Sequence, residues 1–286
     1  MKMFTVELSC RSIACAVALL VGSAATSQAQ TLSLYNSIPN PVPPNVASEG
    51  PEAYAFSELG DGFSLGPAGR TLFDVSVVLA SWACVSGNWY SANCVTPPGS
   101  TYTLPITVNI YSVVSGSSLE GATPAPAPGA LLATMTKSFS LPYRPSTNAT
   151  NCNGGAWYDT ATQTCYDGLA TEITFNLQPL HVILPSQVIV GFSYNTTHYG
   201  PHPIGEGAAC FSTTQGCFYD SLNISTDTNN GYFQAIGQVL NVNGIFVDYT
   251  LANNACVNSA TTAIFGLDAS PGCWTGYHPE IQLTAR

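Results

Sequence analysis

The stretch TLPITVNIYSV, Thr103–Val113, decides the fold. Ile106, Val108 and Ile110 alternate with Thr107, Asn109 and Tyr111. A period of two places apolar side chains on one face of a pleated ribbon and polar ones on the other, so the segment reads as a half-buried strand. The same period runs outward in both directions. FDVSVVLASW (73–82), TMTKSFSL (134–141), EITFNL (172–177) and EIQLTA (280–285) alternate alike, and Val188, Val190, Phe192 and Tyr194 share one face of QVIVGFSYN (187–195). Asp61-Gly62, Asp167-Gly168, Asn230-Gly231 and Asn243-Gly244 read as turn signals between strands. No amphipathic helix of ten residues or more interrupts the pattern. The expected fold is all-β: a two-sheet antiparallel β-sandwich, jelly-roll-like, with long disulfide-stapled loops.

The first residues read as an export signal. Lys2 and Arg11 flank the start, Ile13 to Gly22 is apolar, and Ser27-Gln28-Ala29 offers a small-x-small cleavage site. Residues 1–29 are therefore expected to be a signal peptide, and 30–286 a single β-sandwich domain with 30–48 as an extended lead-in. The apolar run is shorter than the ~20 residues that span a bilayer. Cys15 lies at the start of that run rather than after it, which argues against lipidation. Pro279–Arg286 carries no apolar tail, so the expected product is released, extracellular or periplasmic. The proline-rich IPNPVPPN (38–45) fits the lead-in, and TPAPAPG (123–129) reads as a protruding extended loop.

Cysteine usage agrees with export. Beyond residue 29 the chain holds Cys84, Cys94, Cys152, Cys165, Cys210, Cys217, Cys256 and Cys273. An even number in an oxidising compartment implies disulfides. Pairing of sequence neighbours would staple four short loops. The gaps are too long for the close cysteine pairs of structural zinc.

Charge excludes two classes of partner. Beyond residue 29, Arg70, Lys137, Arg144 and Arg286 stand against fifteen acids. Nucleic-acid binding and attraction to anionic membranes both need clustered basic residues, and these four are scattered. Only 8% of the chain is charged, so the surface must be built from Ser, Thr, Asn and Gly.

The run GDGFSLGPAGRTLFDVSVVLASWAC (60–84), followed by ITVNIY (106–111), LLATMTKSFSLPYRP (131–145) and ITFNLQPLHVILPSQVIVGFSYN (173–195), resembles secreted bacterial β-sandwich domains of the choice-of-anchor type. Shared features are a G-D-x-hydrophobic opening, L-x-x-V-x-V strands and a late L-P-x-x-V-V-V-G strand, over roughly residues 50–200. The resemblance implies a β-sandwich and an export route, and transfers no catalytic residue. The sorting tail usual in such proteins is missing from this C-terminus.

Three constellations invite chemistry. In HYGPHPIGE (198–206), His198, His202 and Glu206 could close around a metal ion or serve a hydrolase. Gly200, Pro201 and Pro203 exclude a helix or central strand, so the segment is a loop. In the second constellation CVSGNWYSANC (84–94) and CNGGAWYDTATQTC (152–165) each place Gly-x-Trp-Tyr between cysteines, and CWTGYHPE (273–280) adds another pair. Trp89, Tyr90, Trp157, Tyr158, Trp274 and Tyr277 could stack on sugar rings. The plainer alternative is that each Trp plugs the space under its loop. Trp82 reads as core. In the third, Glu49, Glu52, Glu58 and Asp61 crowd one segment and suit a structural Ca²⁺, the one ion besides the histidine-loop metal that the sequence invites.

No Gly-x-Ser-x-Gly elbow and no phosphate-binding glycine loop is present. Asn148, Asn195 and Asn223 head glycosylation sequons. The expected function is non-enzymatic binding of carbohydrate or another extracellular surface through the aromatic loops. The alternatives are a polysaccharide hydrolase or lyase centred on His198, His202 and Glu206, and a purely structural exported or matrix protein.

Overall fold

A computed structural model describes residues 31–51, 56–65, 70–89, 91–194, 222–226, 236–249, 264–269 and 276–286. Sixteen strands are named in chain order: β1 (Leu32–Asn36), β2 (Ser48–Glu49), β3 (Phe56–Ser64), β4 (Arg70–Ser81), β5 (Thr101–Gly116), β6 (Ala125–Pro142), β7 (Trp157–Asp159), β8 (Thr164–Tyr166), β9 (Leu169–Asn176), β10 (Ile183–Leu184), β11 (Gln187–Ser193), β12 (Leu222–Ser225), β13 (Gln238–Val239), β14 (Ile245–Tyr249), β15 (Gly266–Asp268) and β16 (Ile281–Ala285). All pairings between them are antiparallel.

Two sheets carry the fold. In the first, β4 is central. β16 and then β12 pair along one edge of it, β9 covers Asp74–Ser81 on the other, and β1 pairs with β16. The second runs β15-β14-β3-β11-β5-β6. The major strands thus have the orders β1-β16-β4-β9 and β3-β11-β5-β6, with the chain crossing between sheets at every step except the β5–β6 hairpin. This is the jelly-roll arrangement of two Greek keys.

The alternation read in the sequence is the face-to-face core. Val75, Val77 and Leu79 of β4 face Leu59 and Phe63 of β3 and Ile106, Val108 and Ile110 of β5 within one buried cluster. Aromatic contacts cross between sheets: Tyr35 to Phe63 at 3.9 Å, and Phe175 to Phe139 at 4.9 Å, edge-on. Two smaller clusters cover outer faces. Trp82 is half-buried beside Ile38, Val46, Val78 and Ala80 on the back of the first sheet. Phe246, Ile189 and Leu267 pack on the back of the second.

Three local expectations change. The lead-in contains β1, whose Leu34 and Tyr35 are buried and whose register sets Leu32 opposite Ala285. TPAPAPG is no loop from Ala125 onward. Pro126 and Pro128 lie in β6, opposite Ser115 and Val113, because β6 is the end strand of its sheet and a missing N–H on an edge breaks no ladder. Asp61-Gly62 is not a turn but the middle of β3.

The register fixes the ends of the sandwich. The β4-to-β5 and β6-to-β9 connections both leave from the end marked by Ser81, Thr101, Pro142 and Leu169. Leu32 and Ala285 lie beside Leu72, at the opposite end.

Candidate ligand-binding end of the sandwich

Two of the expected disulfides are formed, Cys84–Cys94 and Cys152–Cys165, with Cα separations of 5.5 and 5.7 Å. Cys210, Cys217, Cys256 and Cys273 lie outside the described residues. The disulfides point to an oxidising, non-cytoplasmic compartment. No helix among the described residues is long and apolar enough to cross a membrane.

Each stapled loop is ordered by its own polar residues. In the first, the Asn93 side-chain carbonyl accepts from the Asn88 N–H at 2.9 Å, and the Asn88 side-chain carbonyl accepts from Ser91 N–H at 2.7 Å. In the second, β7 and β8 form a hairpin whose tip is held by Asp159, accepting from Ala161 N–H and the Thr162 hydroxyl. These bonds pull the exposed Asp159 carboxyl below the usual carboxylate range.

The loops are then locked to one another. Thr96 N–H donates to Ser146 Oγ, which donates back to the Thr96 carbonyl, and Thr147 N–H donates to the Cys94 carbonyl. The Gly155 backbone lies against the Trp89 carbonyl, leaving no space for a Cβ. Under this contact runs Arg144, fully buried. Its N–H donates to the Ala83 carbonyl, and its Nη2 donates to the Gly155 carbonyl at 2.6 Å. Burial pushes the guanidinium down to about 10 while Asp167 pulls it back up, so it remains cationic at neutral pH.

The aromatic residues serve this frame unequally. Trp157 is only 6% exposed, and its indole N–H donates to the Gly168 carbonyl at 2.8 Å. Trp89 is half-buried and meets Trp82 edge-on at 4.8 Å. Tyr158 and Tyr277 are half-buried, Tyr277 against the main core. Tyr90 and Trp274 lie outside the described residues, as do His198, His202 and Glu206.

Beside the loops a groove of about 520 Å³ opens. Tyr143, Pro97, Pro142, Thr96, Ser100 and Ser146 are among its lining residues. Tyr143 is half-buried, its ring backed by Tyr102 at 4.8 Å, and its N–H donates to the Ser100 carbonyl. Sequence reasoning passed over this residue. The available signal was LPYRP (141–145), an aromatic fixed between prolines just before a stapled loop.

The acids read as a calcium cluster are not brought together. Glu49 sits on β2 of the first sheet, while Glu58 and Asp61 point to opposite faces of β3. Glu52 lies outside the described residues. Among the described residues no three of His, Cys, Asp and Glu converge. Glu58 lies over Gly191 on the outer face and accepts from Asn109 Nδ2 and the Tyr111 hydroxyl, each at 3.1 Å. Burial raises the Glu58 carboxyl. Asp61 points into the core, 2.8 Å from His278 Nδ1. His278 Nε2 faces the Val242 carbonyl at 3.3 Å. A carbonyl only accepts, so Nε2 carries a proton and one further proton is shared across the Asp61–Nδ1 contact. Both side chains are buried, and burial raises the Asp61 carboxyl against the opposing pull of His278.

The fold and its rim define a class: an all-β jelly roll whose loops at one end are cinched by disulfides. No protein-family profile matches the chain, and neither the curated proteins nor the solved structures contain a significant match.

Proposed function

We propose that the protein is secreted and non-enzymatic, and that it recognises carbohydrate or another extracellular surface through the stapled end of the sandwich. The observation that carries this reading is the locking of the two loops to each other through Gly155, Arg144 and the Thr96–Ser146 exchange, next to an open groove. A surface fixed before the ligand arrives loses little conformational freedom on binding, which is the main cost that weakens loop-borne sites. Grooves of ~300–1,000 Å³ are the usual size for small-molecule recognition. Trp89 and Tyr158, half-buried on the loops, are the described aromatics that would border a bound chain. A broad glycan array probed with the oxidised protein tests the reading. Reproducible hits that vanish on reduction of the disulfides are expected, and an array without signal would sink the idea.

A further inference from the structure

We infer that the groove beside the stapled loops is a site for a neutral, hydroxyl-rich saccharide, with Tyr143 as its stacking platform; this rests on the proposed reading of the stapled end. Four prolines, Pro97, Pro98, Pro142 and Pro145, line the groove. Proline has no backbone N–H, so at four positions the wall has no backbone donor. Three of the backbone donors along the lining are engaged within it: Thr96 N–H by Ser146 Oγ, Ser100 N–H by the Pro97 carbonyl, and Tyr143 N–H by the Ser100 carbonyl. The Ser100 and Ser146 hydroxyl protons go to the Pro97 and Thr96 carbonyls. The lining is thus uncharged, and four prolines, Tyr143 and Leu169 give it much apolar surface.

That inventory selects its occupant. A carboxylate, sulfate or phosphate needs donors or a cation, and no charged side chain lines the groove. Arg144, adjacent in sequence, is fully buried and presents no surface to an anion in the groove. The chain's formal charge of −10 adds long-range repulsion against any polyanion. A neutral sugar brings its own O–H donors to the carbonyls and lays its C–H face on an aromatic ring. Tyr143 is held in place by a tilted ring contact with Tyr102 and by its backbone bond to Ser100.

The test uses the full oxidised chain and two sets of immobilised oligosaccharides. The neutral set holds cellohexaose, xylohexaose and mannohexaose, and the acidic set holds oligogalacturonate and oligoalginate. Binding to at least one neutral member and to neither acidic one is expected. Tyr143→Ala should weaken it roughly tenfold, the size of one lost stacking contact, whereas Tyr143→Phe should keep it within about threefold. Should Tyr143→Ala fail to fold, Thr101→Arg replaces it. Thr101 is exposed at the groove, and a long cation there should block entry without touching the core. Preference for the acidic set, or neutral binding that survives both Tyr143→Ala and Thr101→Arg, overturns the groove while leaving a glycan-binding function standing. Absence of binding to every oligosaccharide here and on the broad array overturns both.

Discussion

Asp61 shares a face of β3 with Leu59 and Phe63, inside hydrocarbon, and this determines what its replacement does. Removing one member of a buried hydrogen-bonded pair strands the other, at a cost of about 3–5 kcal/mol. Asp61→Ala should therefore lower the stability measured by urea unfolding by that amount. Asp61→Asn, which keeps a polar partner for His278, should lose clearly less. Equal losses would show that the pairing with His278 carries none of the stabilisation. Gly155 is constrained differently. Its φ is +84° and its α-carbon lies on the Trp89 carbonyl. Gly155→Ala combines left-handed backbone strain of ~1–2 kcal/mol with displacement of one stapled loop from the other. The expected readout is a lower midpoint together with a change in Trp89 fluorescence; an unchanged emission spectrum would mean the loops are not held by this contact. Neither position was legible from sequence. The sequence reads Asp61 as part of a turn, because Asp-Gly usually marks one, and as one of a cluster of acids suited to Ca²⁺, while its actual partner lies 217 residues away. Gly155 was one of two adjacent glycines in a loop, with nothing to show which of them meets another loop.

At the scale of elements, periodicity worked where one face of a strand is buried, as in β5, β9 and β16, and in β4 and β11, whose outer faces are also covered, it still marked the core-facing set. It failed where burial is not the constraint. β6 begins with Ala125-Pro126-Ala127-Pro128, which breaks every strand rule except that for an edge. β1 is five residues running into a proline-rich stretch, too short to stand out. The stapled loops were legible as covalent units, and the paired spacing of their cysteines identified both bonds formed among the described residues. What spacing could not give is that the two loops interlock, since Thr96, Thr147 and Gly155 act through backbone groups. Each disulfide closes a short loop, so opening one costs roughly 2–3 kcal/mol of chain entropy. The Cys84→Ser, Cys94→Ser pair should lose about that much, and more if the second loop loosens with the first. A loss near zero in calorimetry would show the loop to be held by its hydrogen bonds alone.

At the scale of the molecule, four carboxyls among the described residues are held above their ordinary range, Glu58, Asp61, Asp74 and Glu120, in each case chiefly by burial. The folded state therefore keeps these protons to higher pH than the unfolded chain does. The stabilisation they confer is complete below their ordinary values near 4 and is lost as pH rises through the raised ones. Self-repulsion of a chain with sixteen acids and six bases acts in the same direction. The melting temperature should be higher at pH 5 than at pH 8, with added salt narrowing the gap. A midpoint that climbs steadily toward pH 8 would contradict the burial of these acids. A different property follows from the register of the first sheet, where β1 starts and β16 finishes side by side, remote from the stapled loops. A fusion partner or a solid support attached at either flank would leave the groove pointing outward. A short peptide joining Leu32 to Ala285 would close this part of the chain into a ring without crossing the stapled loops.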